Sequence, residues 1–212
     1  MAINLQKGQT INLSKDTYDL SEVMIGLGWD IKEEPKKGGL LGKLLGGQKD
    51  ADYDLDAIAF LLDPNDKLIN LGNERLIGGD VIFFNNLKHS SGNIWHTGDN
   101  LTGAGEGDDE QIIVKLNSLS EHYHKIVFLV TIYQGQQKNQ HFGMVQNAFI
   151  RAVDRKGKEM ARYSLSNESS FNNMSSMIFA EVYRKEGGWK FRALGNPQRE
   201  DSFVPILKSY LR

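Results

Sequence analysis

Large apolar residues fall on alternate positions through much of this chain, the period of a strand with one buried face. In Val23-Met24-Ile25-Gly26-Leu27-Gly28-Trp29-Asp30 the odd positions are bulky and apolar, and mostly small or polar residues fall between them. Strand-like runs also cover Asp54 to Leu62, Leu68 to Leu71, Val81 to Phe84, Ile94 to Thr97, Gln111 to Leu116, Ile126 to Tyr133, Asn147 to Val153, Glu159 to Leu165, Ile178 to Arg184 and Trp189 to Leu194. Strands this numerous and this evenly spaced predict an all-β sandwich or barrel. Asp154-Arg155-Lys156-Gly157-Lys158 and Lys185-Glu186-Gly187-Gly188 are turns of hairpin length between such runs. Trp29, Trp95 and Trp189 each fall within one and are expected in the core.

Two segments depart from period two. Phe203, Ile206, Leu207, Tyr210 and Leu211 recur at three-and-four spacing after Asp201 and Ser202, with Pro205 tolerable in a first turn, so a short C-terminal helix is expected to pack one apolar face on the strands. Between Asp30 and Asp50 the chain is rich in glycine and carries Leu40, Leu41, Leu44 and Leu45. This insert, at about 32–51, reads as a flexible loop with an apolar tip, which docks on a partner or membrane surface or packs within the molecule. It is not a phosphate loop, because Lys37 stands where the first glycine belongs and Leu44 replaces the serine or threonine.

A length of 212 residues suits one domain spanning 1–212. The 25 basic and 27 acidic residues give a formal charge of −2, so no nucleic-acid partner is expected. Charge is uneven, however: the chain is basic from Arg184 onward and acidic in its middle. The absence of cysteine excludes disulfides, a thiolate metal site and a cysteine nucleophile, and fits a reducing cytoplasm. The N-terminus has no apolar core of signal-peptide length, and no apolar run approaches the roughly 20 residues of a spanning helix. A cytoplasmic protein without a transmembrane segment is therefore expected.

The candidate chemistry is acidic. Gly98 to Glu110 packs carboxylates and glycines together without a lysine or arginine, and Asp50, Asp52, Asp54 and Asp56 lead into an apolar run. Crowded carboxylates repel one another unless a cation or water screens them, and calcium takes six to eight oxygen ligands in a tolerant geometry. A solvated acidic turn uses the same residue types, so the two readings stand side by side. The helix-loop-helix calcium template fails, since Ala57 occupies the required glycine position and Asp63 the glutamate position. Of five histidines only His122-x-His124 has a metal-like spacing, in a polar stretch, and no serine-hydrolase elbow or dinucleotide fingerprint occurs.

Taken in order, several segments resemble the tellurium-resistance TerD family of bacterial stress proteins over nearly the whole chain. They are Gly26-Leu27-Gly28-Trp29-Asp30, the glycine-rich insert, Asp54-Leu55-Asp56-Ala57, Phe83-Phe84-Asn85-Asn86-Leu87, His96 to Gly103 with Gly107-Asp108-Asp109-Glu110, Asn147 to Arg151 and Ala180 to Arg184. Ile58 departs from the pattern, standing where the family often has serine. The resemblance implies a single β-sandwich of two antiparallel sheets with long calcium-binding loops, no catalytic activity, and a part in resistance to tellurite and other chemical or phage stress. It implies two calcium ions held by Asp30, Asp54, Asp56, Asp99, Asn100, Glu106, Asp108, Asp109 and Glu110 with the carbonyls of Leu101 and Gly107, supported by Asn85 and Asn86. Protein partners of a stress-resistance complex, at the inner membrane surface, follow from the same likeness. A small-ligand or cyclic-nucleotide receptor, with Arg151, Arg184 and Arg192 as phosphate contacts, is the alternative. A metal-assisted phosphohydrolase ranks below it.

Overall fold

The computed structural model describes residues 2–31, 53–98, 107–165 and 169–212 of the chain. Among them run twelve strands: β1 (Ile3–Leu5), β2 (Thr10–Leu13), β3 (Val23–Ile31), β4 (Leu55–Leu62), β5 (Val81–Ile82), β6 (Ile94–His96), β7 (Glu110–Val114), β8 (Lys125–Ile132), β9 (Val145–Val153), β10 (Glu159–Ser164), β11 (Ser176–Lys185) and β12 (Gly188–Gln198). They form two six-stranded sheets, ordered β1-β10-β9-β3-β7-β6 and β2-β12-β11-β8-β4-β5. Pairing is antiparallel except at one edge, where β1 runs parallel to β10. The expected all-β architecture and both expected hairpins are present. β1 and β2 have too few residues for their alternation to stand out in the sequence, and the helix list gains a single turn, α1 (Gly135–Lys138), before the expected α2 (Phe203–Lys208).

Period two explains how the layers stack. Val23, Ile25, Leu27 and Trp29 of β3 and Ile112 and Val114 of β7 point into the space between the sheets, where they meet Leu55, Ala57, Ala59 and Leu61 of β4. β4 is buried on both faces, because Ile58, Phe60 and Leu62 turn the other way. That outer face is covered by Phe203, Ile206 and Leu207 of α2 and by Leu68, Val81 and Phe83. The helix starts where expected, with the Ser202 side chain accepting from the Val204 amide, while Tyr210 and Leu211 pack beyond its last turn.

Two expectations need correction. Leu68 to Leu71 is not a strand: the amides of Ile69 and Asn70 donate to the Asp80 carboxylate at 3.0 and 2.6 Å, so a buried side chain takes the place of a ladder. Trp95 is only half-buried, with the Lys115 ammonium 5.5 Å from its ring centre, whereas Trp29 and Trp189 lie in the core as expected.

Candidate metal centre at one end of the sandwich

Antiparallel pairing brings the last residues of β3 beside the first residues of β7 and β9. The start of β4, in the other sheet, reaches the same end, because the Glu110 carboxylate of β7 accepts a hydrogen bond from the Ala57 amide. The two acidic clusters, far apart in sequence, are therefore joined across the sandwich. His96 stands behind this contact. Its Nδ1 accepts from the Gly98 amide at 3.0 Å, which leaves the proton on Nε2, 3.5 Å from Glu110 Oε2.

The carboxylates divide by face. Glu110 shares its parity with Ile112 and Val114 and points between the sheets, 2% exposed. Asp56 shares its parity with Ile58 and Phe60, on the outer side of the second sheet, and Asp54 precedes it by two. Asp30 and Asp108 lie over the outer face of the first sheet, and Asp109 links this group to the sheet end: its Oδ2 accepts from the Trp29 amide at 2.9 Å and its own amide donates to Leu27. Asp99, Asn100, Leu101 and Glu106 lie outside the described residues, as does the insert at 32–51.

Asp108 is already paired. Gly26 sits in register between Gln111 and Arg151, and its missing side chain leaves room for the Asp108 carboxylate to lie across the sheet. There it accepts from Arg151 Nε at 2.7 Å and Nη2 at 3.0 Å, a bidentate pair with the carboxylate side chain 1% exposed. Arg151 continues to Glu159, which also holds Arg162, and these cations keep the Glu159 carboxyl below its ordinary range. Asn86, expected to support the acidic site, instead bonds the turn from Gly78 to Val81, and Asn85 is exposed.

Asp109 behaves differently. Burial pushes its carboxyl above the ordinary value against the stabilising Trp29 amide, and repulsion from Asp30 and Asp108 adds to the rise. The sign follows from linkage. The folded chain holds this proton more tightly than the unfolded one, so the ionised carboxylate costs stability as pH rises through the folded pKa, and the cost vanishes below the unfolded value of 3.8. Asp109→Asn, which keeps an acceptor for the Trp29 amide, is expected to raise the melting temperature at neutral pH in chelator and to change it little at pH values below that point. A lower melting temperature at neutral pH would show that the carboxylate stabilises the fold.

Sequence reading missed His96, Asn147 and the Arg151 clamp as parts of this end. The alternating glycines were the available signal for the clamp, since Gly26 and Gly28 open one face of β3 to Asp108 and Phe149. Among the described residues no group of three carboxylates or imidazoles converges to hold a metal ion. The donor chemistry at this end, oxygen without sulfur, is that of a hard cation.

The fold and this end define a β-sandwich whose sheets share a carboxylate-rich rim. Residues 1–210 match the TerD domain. The chain is 56% identical to the tellurium resistance protein TerX of Serratia marcescens over the full length of both. It is 42% identical to the stress response protein SCP2 of Bacillus subtilis (strain 168), again over both whole chains, and 42% identical to TerD of Serratia marcescens over 92% of this chain and 90% of that one. The chain belongs to the TerD family of tellurium-resistance and stress-response proteins. A homologue of telluride resistance protein TerD from Streptomyces coelicolor A3(2) shares the fold, with a TM-score of 0.59 at 20% identity over 90% of this chain and 95% of that one. No described helix is long and apolar enough to cross a membrane.

Proposed function

We propose that this protein is a calcium-binding, non-catalytic interaction module of tellurite and stress resistance. It works in the cytoplasm with protein partners of a stress-resistance complex, peripherally at the inner face of the membrane. The observation that carries the reading is the meeting of two acidic clusters at one end of the sandwich, with the Asp109 carboxyl raised by burial and by its neighbours Asp30 and Asp108. A cation removes that repulsion. Asp30 and Asp109 offer oxygens on one side and Asp54 and Asp56 on the other, which supports two ions, their shells completed by Asp99, Asn100, Glu106 and the carbonyls of Leu101 and Gly107. Asp108 and Glu110 then serve through the Arg151 and Ala57 contacts that hold the rim in shape. The names of the relatives support the resistance role.

The test is calorimetric titration of chelator-stripped protein with calcium, with magnesium as control. Saturable heat is expected, weakened about tenfold or more in Asp56→Asn and Asp99→Asn. A hundredfold excess of calcium over its dissociation constant should stabilise the fold by about 2.7 kcal/mol. Absence of heat in the wild type refutes the reading. A nucleotide receptor has less support, because each arginine proposed as its phosphate contact is engaged: Arg151 with Asp108, Arg184 on the Trp189 ring and the Leu119 carbonyl, and Arg192 with Glu181.

A further inference from the structure

Outside the acidic rim, the turn that leads into β6 brings a serine, a histidine and an aspartate into contact. Asp80 and His89 are 0% and 4% exposed, while Ser91 is open to solvent. Ser91 Oγ lies 2.8 Å from His89 Nδ1, and His89 Nε2 lies 3.2 Å from Asp80 Oδ1. The Ser91 amide also meets Nδ1, at 3.2 Å. An amide can only donate, so Nδ1 carries the lone pair and Nε2 the proton, and the Ser91 hydroxyl donates to a neutral imidazole. The ring is fixed from behind. Asp80 is held by the amides of Ile69 and Asn70 and by the Tyr123 hydroxyl, and the Tyr123 ring stands edge-on to His89 with centroids 5.5 Å apart. The turn is closed around Ser91 as well: the His89 amide donates to the Ile94 carbonyl at 3.0 Å and the Gly92 amide to the His89 carbonyl at 2.9 Å. The Asn93 amide donates to Ser91 Oγ at 3.2 Å, which leaves that oxygen a second lone pair.

Capping of the turn uses the amide contact alone. The shorter hydroxyl contact, with a buried carboxylate on the far nitrogen, is the arrangement by which an imidazole activates an oxygen nucleophile. We infer that Ser91 is an activated nucleophile that takes up an acyl group from an activated ester or thioester. Its oxygen attacks the acyl carbonyl carbon and its proton passes to His89 Nδ1, while Asp80 stabilises the imidazolium that forms. The bond from the carbonyl carbon to the alcohol or thiol then breaks, His89 returns the proton to that leaving group, and an ester remains on Ser91. No oxidant, reductant or further reactant enters. The inference goes beyond the proposed function and is independent of the ion, and it asks for one acyl transfer per chain, not for turnover.

The probe is p-nitrophenyl acetate, added to the full chain in chelator. A burst of about one equivalent of nitrophenolate per folded chain is expected, absent from Ser91→Ala, an exposed change that leaves the buried groups in place. Peptide mass spectrometry should place the acetyl group on Ser91, as an ester that neutral hydroxylamine removes; an acetylated lysine resists it. His89→Gln should slow the burst about a hundredfold, the loss of a general base. Asp80 acts through His89 as a positioning residue, and Asp80→Asn should slow the burst about tenfold, the loss of one charge-assisted contact. An unfolded fraction lowers the amplitude of the burst and leaves its rate constant unchanged, so structural damage and lost chemistry are read apart. A burst undiminished in Ser91→Ala, acetyl on Ser90 or Lys88 in place of Ser91, or the wild-type rate constant in His89→Gln or Asp80→Asn overturns the inference. Calcium titration of the same preparations reads the acidic rim separately: calcium heat without a burst sinks the nucleophile and spares the ion site, and the reverse pattern does the opposite.

Discussion

Replacing Asp80 with alanine is expected to remove about 4 kcal/mol of stability or more, a large part of the 5–15 kcal/mol that holds a typical domain together. Asp80 is 0% exposed and accepts four hydrogen bonds. Oδ2 takes the amides of Ile69 and Asn70 at 3.0 and 2.6 Å; Oδ1 takes the Tyr123 hydroxyl at 2.8 Å and faces His89 Nε2 at 3.2 Å. His89 Nδ1 accepts from the Ser91 amide, so the ring proton sits on Nε2 and is donated to Asp80. Burial first and the Asp80 carboxylate second push the Tyr123 phenol far above its ordinary range, which keeps it a donor. Alanine takes the acceptor from all four donors, the buried His89 ring and the part-buried Tyr123 hydroxyl and Ile69 and Asn70 amides, at a cost of up to about 1–3 kcal/mol each, and frees the Ile69–Asn70 segment from the edge of the second sheet. Urea unfolding checks it. Tyr123→Phe, which removes a single donor and leaves the rest of the network satisfied, should cost only about 1 kcal/mol. A loss below that figure for Asp80→Ala would mean that the segment finds other partners.

The same carboxylate marks a limit of sequence reading. Alternation identifies strands because burial on one face is periodic, and β3 was legible for that reason, whereas β4 and β8, buried on both faces, show as near-continuous apolar runs. Leu68 to Leu71 has the right residues, but a strand requires a partner for its backbone groups, and Asp80 satisfies two of them from ten and eleven residues away. Nothing in the local pattern announces that capture. β1 and β2 failed for the opposite reason: three and four residues at the sheet edges leave too short an alternation. The sheet order, with β3 between β7 and β9, is also set by contacts between distant segments.

The acidic residues were legible as a set, since few residue types crowd together without a cause. Their division was not. Asp108 and Asp109 are neighbours in sequence, yet one lies against Arg151 and the other accepts from the Trp29 amide. Such a split depends on which cation or amide the fold brings near, and Arg151 is 43 residues from Asp108. The family resemblance implies Glu110 as a further ligand; strand parity turns its side chain inward, where it accepts from the Ala57 amide and ties β4 to β7.

Gly26→Ala is expected to be the most damaging single methyl at this end of the molecule. A Cβ at position 26 would sit 2.2 Å from Asp108 Oδ2 and 2.3 Å from its Cγ, well inside any tolerated contact. The carboxylate cannot simply swing aside, because its two oxygens are fixed by Arg151 Nε and Nη2 and its neighbour Asp109 is tied to Trp29 and Leu27. Either the bidentate pair breaks or the chain from Gly107 to Glu110 lifts from β3. Disrupting a buried pair costs about 3–5 kcal/mol, and overpacking alone about 1–3 kcal/mol, so a loss near 3 kcal/mol is expected in urea unfolding. The double variant separates the two causes. Asp108→Ala alone leaves Arg151 with Glu159 only and is destabilising, but once the carboxylate is gone the methyl on residue 26 loses its three nearest clashes. Gly26→Ala with Asp108→Ala should therefore cost clearly less than the sum of the two single changes, a coupling of 1 kcal/mol or more on the scale of contacting residues. Strict additivity would mean that the methyl strains β3 itself, and that the glycine does not serve to seat Asp108.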